Sequence, residues 1–352
     1  MNERDKTMRN VSGWAATEPG GPLKPWDFQR RDVLSEDVAI RIEYCGVCSS
    51  DISAIRHGGD FPLVPGHEMT GEVTAVGDRV SRFAVGDKVA VGNIIDSCRE
   101  CPACLAGREN WCFAYPTLTY GGADRKDGNP TRGGFSSEYV LDQRFVYALP
   151  EGLDPAGAAP LMCAGITTYA PLRRWGAGPG KTVGIVGLGG LGHIALKIAH
   201  ALGAEVVQFT RTMDKAAEAR ALGADDVVLS TDEKQMAAQA GRFDLILDTV
   251  GAPHALEPYL AALAIDGTLC MVGIPEGNWT VDPLSLIVGA KNLAGAGSGG
   301  TLETRDMLDF CAEHGITADV EHMRPDQVNE ALDRLARNDV RYRFVLDMAE
   351  QS

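Results

Sequence analysis

The run TVGIVGLGGLG, residues 182–192, is an apolar segment that breaks into glycines and then continues as a helical pattern. Val183, Ile185 and Val186 precede the glycines, and Leu191, Ile194, Ala195, Ile198 and Leu202 follow them at helical spacing. Gly187, Gly189 and Gly192 have the spacing G-x-G-x-x-G: the first for a tight turn, the second so that backbone can approach a pyrophosphate, the third for close helix–strand packing. The N–H groups at the start of that helix would face the anion. A glycine-rich turn in a core βα unit is the plainer reading, but the flanking strand and helix patterns favour a bound dinucleotide.

Outward from this stretch, the texture from Lys181 is of strands alternating with helical segments, at 182–187, 205–209, 227–229, 243–248, 268–272 and 291–295. That order predicts an α/β fold with a doubly wound parallel sheet. The second of these strands ends in EVVQFTRTMDK. An NAD-binding chain usually places Asp or Glu about 20 residues past the glycines, to hold the ribose 2′-hydroxyl. Here Thr210, Arg211 and Thr212 stand there, followed by Lys215. A hydroxyl and an arginine suit a 2′-phosphate, so NADP(H) is the expected cofactor.

The first 150 or so residues read as mostly β. Val38–Ile42 alternates as a strand and leads into the turn-like CGVCSSD, and Glu72–Gly92 is cut by Gly-Asp pairs into hairpins. After Gly300 come a helix over LETRDMLDFCAEHG, a strand, a helix around Gln327–Ala336 and a terminal strand in VRYRFVLD. No repeat or low-complexity segment interrupts the chain.

With 352 residues, 45% hydrophobic and 23% charged, the chain has room for two globular domains. No apolar run reaches the ~18 residues of a membrane span. The start, MNERDKTMRN, is charged with no apolar segment behind it, which makes the cytoplasm the expected location. A net charge of −15 argues against nucleic acid or anionic membrane as the main partner.

Of nine cysteines, four fall within fifteen residues: Cys98, Cys101, Cys104 and Cys112, spaced C-x2-C-x2-C-x7-C. Pro102 and Gly107 let that loop curl around one point. Four thiolates suit a closed tetrahedral zinc site, and an iron–sulfur cluster is the alternative. A second set is dispersed: Cys48, the pair His67-Glu68, and Cys163. Two thiolates and an imidazole make a three-ligand zinc site with a position left for water or substrate, but spacing alone does not bring them together. Each also has a plainer reading, as a buried small hydrophobe or a turn histidine.

CGVCSSD, PGHEMTGEV, the four-cysteine loop, LMCAGITTYAPL, GLGGLGH and NDVRYRFVLD, in that order between Tyr44 and Asp347, resemble the zinc-dependent medium-chain alcohol dehydrogenases. Within them they are most similar to the cinnamyl alcohol dehydrogenase group with its bacterial aldehyde reductases. The resemblance implies a GroES-like β-rich catalytic domain from both ends of the chain, 1–156 and 294–352, a Rossmann domain inserted at 157–293, and an active site in the cleft between them. It implies a homodimer and two zinc ions per chain. Cys48 rather than Cys45 is the implied catalytic-zinc ligand, with His67 and Cys163, and Glu68 is the carboxylate that can approach the metal in exchange for water. Thr167, the loop Gly187, Gly189, Gly190, Leu191 and Gly192, and then Val250, Gly273 and Arg343 fall where the family contacts cofactor.

In that family a hydroxyl two residues after the ligand cysteine relays the proton, which makes it Ser50 here. The histidine that many members carry three residues further on is replaced by Ser53, leaving Ser53 with water, or His57 in the RHGGD turn, as the route to solvent. Two aromatic substrate-pocket positions of the cinnamyl enzymes align with Thr117 and Gly297, so a roomier pocket and a broad aldehyde reductase are implied. The alternatives are an NAD-dependent polyol dehydrogenase of the same superfamily, a non-enzymatic cofactor-binding protein, and, from the four-cysteine loop alone, a zinc-ribbon nucleic-acid module that the acidic charge opposes.

Overall fold

The computed structural model describes residues 8–351; the charged start of the chain, residues 1–7, lies outside the described residues. Two compact units are present: Ala164–Ser298, and a second that runs to Cys163 and resumes at Gly299.

In the unit Ala164–Ser298, six strands form one parallel sheet in the spatial order Asp226–Leu229, Glu205–Thr210, Thr182–Val186, Phe243–Asp248, Leu263–Met271, Asn292–Gly295. The chain starts in the middle at Thr182–Val186, winds outward through two strands, then returns to wind outward on the other side. The reversal falls between Thr182–Val186 and Phe243–Asp248, and the crevice beyond the carboxyl ends of strands at such a reversal is where doubly wound sheets take ligands. β-Branched residues fill these strands because both faces are covered: Val183, Ile185, Val206, Val207 and Ile246 are wholly buried. Phe209 packs against Phe243 and Tyr259 with ring centroids 5.2 and 5.3 Å away.

The first and third motif glycines have the turn and the close packing that their spacing predicts. Gly187 has φ +90°, a left-handed turn no side chain enters cheaply. A Cβ on Gly189 would meet nothing within 4 Å, so that face of the loop is open. A Cβ on Gly192, the first residue of the helix Gly192–Ala201, would run into the Gly187 carbonyl.

The other unit is built on a sheet in the order Val320–Met323, Arg343–Asp347, Asp37–Val47, Met69–Val76, Lys88–Val91, Tyr147–Ala148, with Glu138–Asp142 also pairing to Asp37–Val47. Met69–Val76 and Lys88–Val91 form the antiparallel pair expected within Glu72–Gly92. The central strand is longer than its alternation suggests. Arg343–Asp347, from the far end of the chain, pairs antiparallel with it at Tyr44 to Val47, so Cys45-Gly46-Val47 is strand and not the turn its composition suggests. Cys48 then caps the helix Ser49–His57, which makes His57 a helix end rather than part of a turn. The two C-terminal helices are Thr301–His314 and Val328–Ala336. No helix among the described residues is long and apolar enough to cross a membrane.

Because a Cβ at position 192 would meet a backbone carbonyl and not a yielding side chain, Gly192→Ala should destabilise the protein by about 1–3 kcal/mol, the usual cost of overpacking. Denaturant unfolding checks this, and an unchanged midpoint would show that the loop has slack.

Candidate metal centre and cofactor loops

The strand Asp37–Val47 ends at Cys48, whose peptide N–H donates to Asp51 Oδ2 at 2.8 Å in a capping arrangement. The other oxygen of Asp51 accepts from the Gly66 N–H at 3.0 Å and faces His67 Nδ1 at 3.2 Å. One buried carboxylate therefore joins the helix start to the loop that carries His67 and Glu68. Its hold on Nδ1 turns the other ring nitrogen, Nε2, away towards Cys48 and Glu68, with Glu68 Oε1 at 3.9 Å.

Cys163 ends a 3-10 turn over Ala159–Met162, which places its sulfur 3.9 Å from that of Cys48. Cys48, His67, Glu68 and Cys163 thus present ligand atoms that all lie within 4.8 Å of one another. Cys45 lies outside this group: it is wholly buried and its thiol faces the Gly46 carbonyl.

The electrostatics of the cluster are those of a site made for a cation. Hydrogen bonds from Cys163 and His67, with the charge of Arg343, hold the Cys48 thiol well below its ordinary range against the opposing effect of burial. The hydrogen bond to Cys48 and burial push Cys163 well up. Burial works to lower His67, but Asp51 and Cys48 outweigh it and the ring is held well above its usual value. Burial raises Glu68 to about 7 in spite of Arg343 beside it. Two thiols, an imidazole nitrogen and a carboxylate, gathered with little solvent, match zinc's preference for S, N and O donors.

Arg343, expected among the cofactor contacts, is wholly enclosed and ion-paired to Glu68 Oε1. The other carboxylate oxygen packs where a side chain on Gly46 would sit and has no hydrogen-bond partner. Ser50 lies in the first turn of the helix with its hydroxyl 3.7 Å from the Cys48 sulfur. Ser50, Ser53 and His57 are all exposed.

Two participants escape the sequence reading. Asp51 is one, though a carboxylate three residues after a helix-capping residue is itself a signal. The other is Tyr120, eight residues after Cys112, whose hydroxyl is 3.3 Å from His67 Nδ1 and also bonds to Asp51. Thr117, by contrast, has its hydroxyl occupied by Arg125 Nε at 2.9 Å.

Cys98, Cys101, Cys104 and Cys112 also converge within 4.8 Å. Cys98–Cys104 and Cys101–Cys104 sulfurs are 3.8 and 3.5 Å apart, and backbone N–H groups point at them: Cys98 N to Cys112, Cys101 N to Cys98, Phe113 N to Cys101. Backbone N–H donors from Phe113 and Cys104 lower Cys101 to about 6, whereas burial raises Cys104 to about 12. Four converging sulfurs with peptide N–H groups aimed at them fit a tetrahedral, closed metal site. Glu109 in this lobe caps the helix Thr301–His314 through Thr301 N and Oγ1 at 2.8 and 2.9 Å.

In the other unit, the loop after Glu205–Thr210 folds back on itself, with Thr210 Oγ1 donating to the Thr212 carbonyl at 3.0 Å. Lys215 Nζ reaches the Leu188 carbonyl of the glycine loop at 3.4 Å, and Arg211 is exposed. Thr167 Oγ1 accepts from Ser298 N at 3.3 Å. Val250 and Gly273 lie in contact, since a Cβ on Gly273 would strike the Val250 backbone. Around Gly297 a Cβ would meet nothing within 4 Å.

Comparison with known proteins agrees with this arrangement. Residues 35–151 match the family model for the alcohol dehydrogenase GroES-like domain, and residues 190–313 that for zinc-binding dehydrogenases. The chain is 49% identical to aldehyde reductase YahK of Escherichia coli (strain K12) over 345 residues, 97% of this chain and 98% of that protein. Among solved structures, cinnamyl alcohol dehydrogenase SbCAD4 from Sorghum bicolor superposes with a TM-score of 0.94 at 44% identity, covering 97% and 98% of the two chains. The cinnamyl alcohol dehydrogenase of Helicobacter pylori complexed with NADP(H) gives 0.91 at 34% identity, covering 98% and 99%.

Elemental analysis should find two zinc ions per chain. Cys163→Ser should lose one of them while the protein stays folded, and Cys101→Ser should lose the other together with part of its thermal stability, since structural zinc binding is also folding free energy. One metal or none in the freshly purified wild-type protein would contradict both assignments.

Proposed function

Since the chain belongs to the zinc-dependent medium-chain alcohol dehydrogenases, in the group of cinnamyl alcohol dehydrogenases and aldehyde reductases, we propose that it reduces aldehydes to primary alcohols with NADPH. The observation that carries the reading is the convergence of Cys48, His67, Glu68 and Cys163 in one buried cluster. In this reading Ala164–Ser298 is the cofactor domain and the other unit is the catalytic domain. Cys48, His67 and Cys163 hold catalytic zinc, with Glu68 as a carboxylate that can approach the metal, and the four-cysteine lobe holds a structural zinc.

Zinc bound there would polarise the aldehyde oxygen as a Lewis acid. Reduction adds hydride to carbon and a proton to oxygen, and the chain's own groups handle the proton. In this reading Ser50 gives it up, supported by its hydroxyl lying 3.7 Å from the Cys48 sulfur on the exposed first turn of a helix. Ser53 follows one turn on, also exposed, and with water it passes the proton to solvent. Asp51, supported by Tyr120, fixes the tautomer and tilt of His67, the usual work of a carboxylate behind a metal-bound histidine. Arg343 balances the Glu68 charge, and Thr167, the glycine loop, Val250 and Gly273 contribute to the cofactor surface of the unit Ala164–Ser298.

Preference for NADP(H) rests on Thr210, Arg211 and Lys215. Lys215 is drawn to the glycine loop, and no carboxylate stands at positions 210–212 to repel a 2′-phosphate. Small residues at Thr117 and Gly297 support a broad range of aromatic and medium aliphatic aldehydes. We further read the chain as a cytoplasmic homodimer. Asn292–Gly295 is an edge strand that carries exposed Leu293 and follows exposed Ile287 and Val288, a surface suited to a second copy; a solution mass of one 37.5 kDa chain would contradict it.

Steady-state kinetics with both cofactors test the main reading. kcat/KM should favour NADPH, and Arg211→Asp should reverse or abolish that preference; equal values for the two cofactors in the wild type would defeat it. Ser50→Ala should lower kcat by about 10²-fold, the lower end of what general acid–base catalysis supplies, with zinc content and NADPH affinity unchanged. A wild-type kcat in that variant at every pH would mean the proton arrives by another route.

A further inference from the structure

Behind the proposed cofactor surface lies a cluster that no step above uses. The strand Phe243–Asp248 ends in a buried carboxylate, Asp248, beside the start of the glycine loop, since Val186 and Asp248 are register partners. Asp248 Oδ1 accepts from Val250 N at 3.0 Å, and Oδ2 faces His254 Nε2 at 2.7 Å. The other ring nitrogen, Nδ1, lies 2.8 Å from the Ala252 carbonyl. Residues 248, 250, 252 and 254 are thus closed into one hydrogen-bonded ring through two side chains. Both nitrogens of His254 face oxygen, so the ring fills both bonds when both nitrogens carry hydrogen.

The His254 imidazole stands edge-on to Tyr259, centroids 5.9 Å apart, and Tyr259 packs on Phe209 in the core of the sheet. The clamp is therefore anchored. It is also tied on both sides. Thr249 Oγ1 and N donate to the Val186 carbonyl at 2.7 and 3.1 Å, and the Asp248 carbonyl accepts from Val272 N and Gly273 N at 2.9 and 3.0 Å. A Cβ on Gly187 would touch Val250 Cγ2 at 3.0 Å, and one on Gly273 would strike the Val250 backbone. The segment 248–254 is the middle of three loops at the carboxyl edge of the sheet. Its placement fixes Val250 between the other two.

We propose that His254 and Asp248 are positioning residues for dinucleotide binding: the ring they close holds Val250 where it can meet the cofactor. The proposal rests on the reading that Val250 contacts the dinucleotide. His254 itself touches neither substrate nor cofactor. The clamp acts through the loop backbone and not through the 2′-phosphate, so it serves NADPH and NADH alike. This separates it from Arg211 and Lys215.

The test uses the zinc-replete, full-length protein and fluorescence titration with NADPH and with NADH. His254→Ala removes both bonds and should raise Kd for both cofactors by the same factor, about tenfold, the loss of roughly one hydrogen bond of ordinary net strength. kcat at saturating NADPH should stay within twofold of wild type, and KM for NADPH should rise with Kd. Asp248→Asn is the conservative variant. Its amide oxygen still accepts from Val250 N and its NH2 can donate to a neutral His254, so Kd should stay near wild type; Asp248→Ala should match His254→Ala.

Unchanged Kd in a folded His254→Ala protein would overturn the proposal, as would a fall in kcat at saturation with Kd intact. If His254→Ala does not fold, His254→Gln, which keeps a donor for Asp248 but not the Ala252 bond, should show an intermediate rise in Kd, and no rise would overturn the proposal equally. Wild-type preference for NADH would defeat the 2′-phosphate reading alone and leave the His254 ratio as the test. Failure of the wild type to bind either cofactor would overturn the proposed function and the clamp together.

Discussion

The carboxylate of Asp51 is the interaction on which the metal centre depends. It is fully buried and spends its oxygens on the Cys48 N–H, the Gly66 N–H and His67 Nδ1, so the start of a helix and a distant loop meet at one charged group. A buried carboxylate without such partners costs several kcal/mol, and three donors with a hydroxyl from Tyr120 offset that cost. The result is that His67, sixteen residues from Asp51, and the backbone of Cys48 are held by one carboxylate, before any metal is considered. Removing the carboxylate would free both Cys48 and His67 at once, although it would touch neither sulfur nor substrate.

The two clusters of metal-binding type show different solutions to the same problem. The four-cysteine lobe is local: its donors come from one loop of fifteen residues, and the peptide N–H groups of that loop face the sulfurs. Negative charge there is met by backbone, which suits a site that stays closed. The other cluster is assembled from segments as far apart as Cys48 and Cys163, and its charge is met by side chains, Arg343 above all. Side chains can shift as a ligand enters; backbone held in a tight loop cannot. What faces the donors therefore separates the two clusters as much as the donors themselves do.

How far the sequence speaks follows the same division. The parallel sheet is readable because its period, glycine spacing and strand–helix alternation are all local, and all six expected strands are present. Thr301–His314 and Val328–Ala336 are legible for the same reason. The stretch CGVCSSD misleads because its first half is made strand by Arg343–Asp347, a partner from the other end of the chain that local composition cannot announce. Cys48, His67 and Cys163 are visible as residue types but not as a cluster, since their convergence depends on Asp51 and on the turn over Ala159–Met162. Arg343 is the sharpest case. Its position in the terminal strand is clear, yet its pairing with Glu68 spans 275 residues.

That long pairing has a consequence for the order in which the molecule is made. The unit Ala164–Ser298 is continuous in sequence, so all of its sheet is available while the last part of the chain is still being synthesised. The other unit is split, and its central strand Asp37–Val47 keeps an open edge at Tyr44 to Val47 until Arg343–Asp347 emerges. Domains fold as units during synthesis, and pairings between distant segments come late. The inserted unit is thus the one that matures first on the ribosome. The half-built β unit must wait with Glu68 short of its arginine, and it is this unit, with an apolar strand edge uncovered, that is exposed to association with other nascent chains.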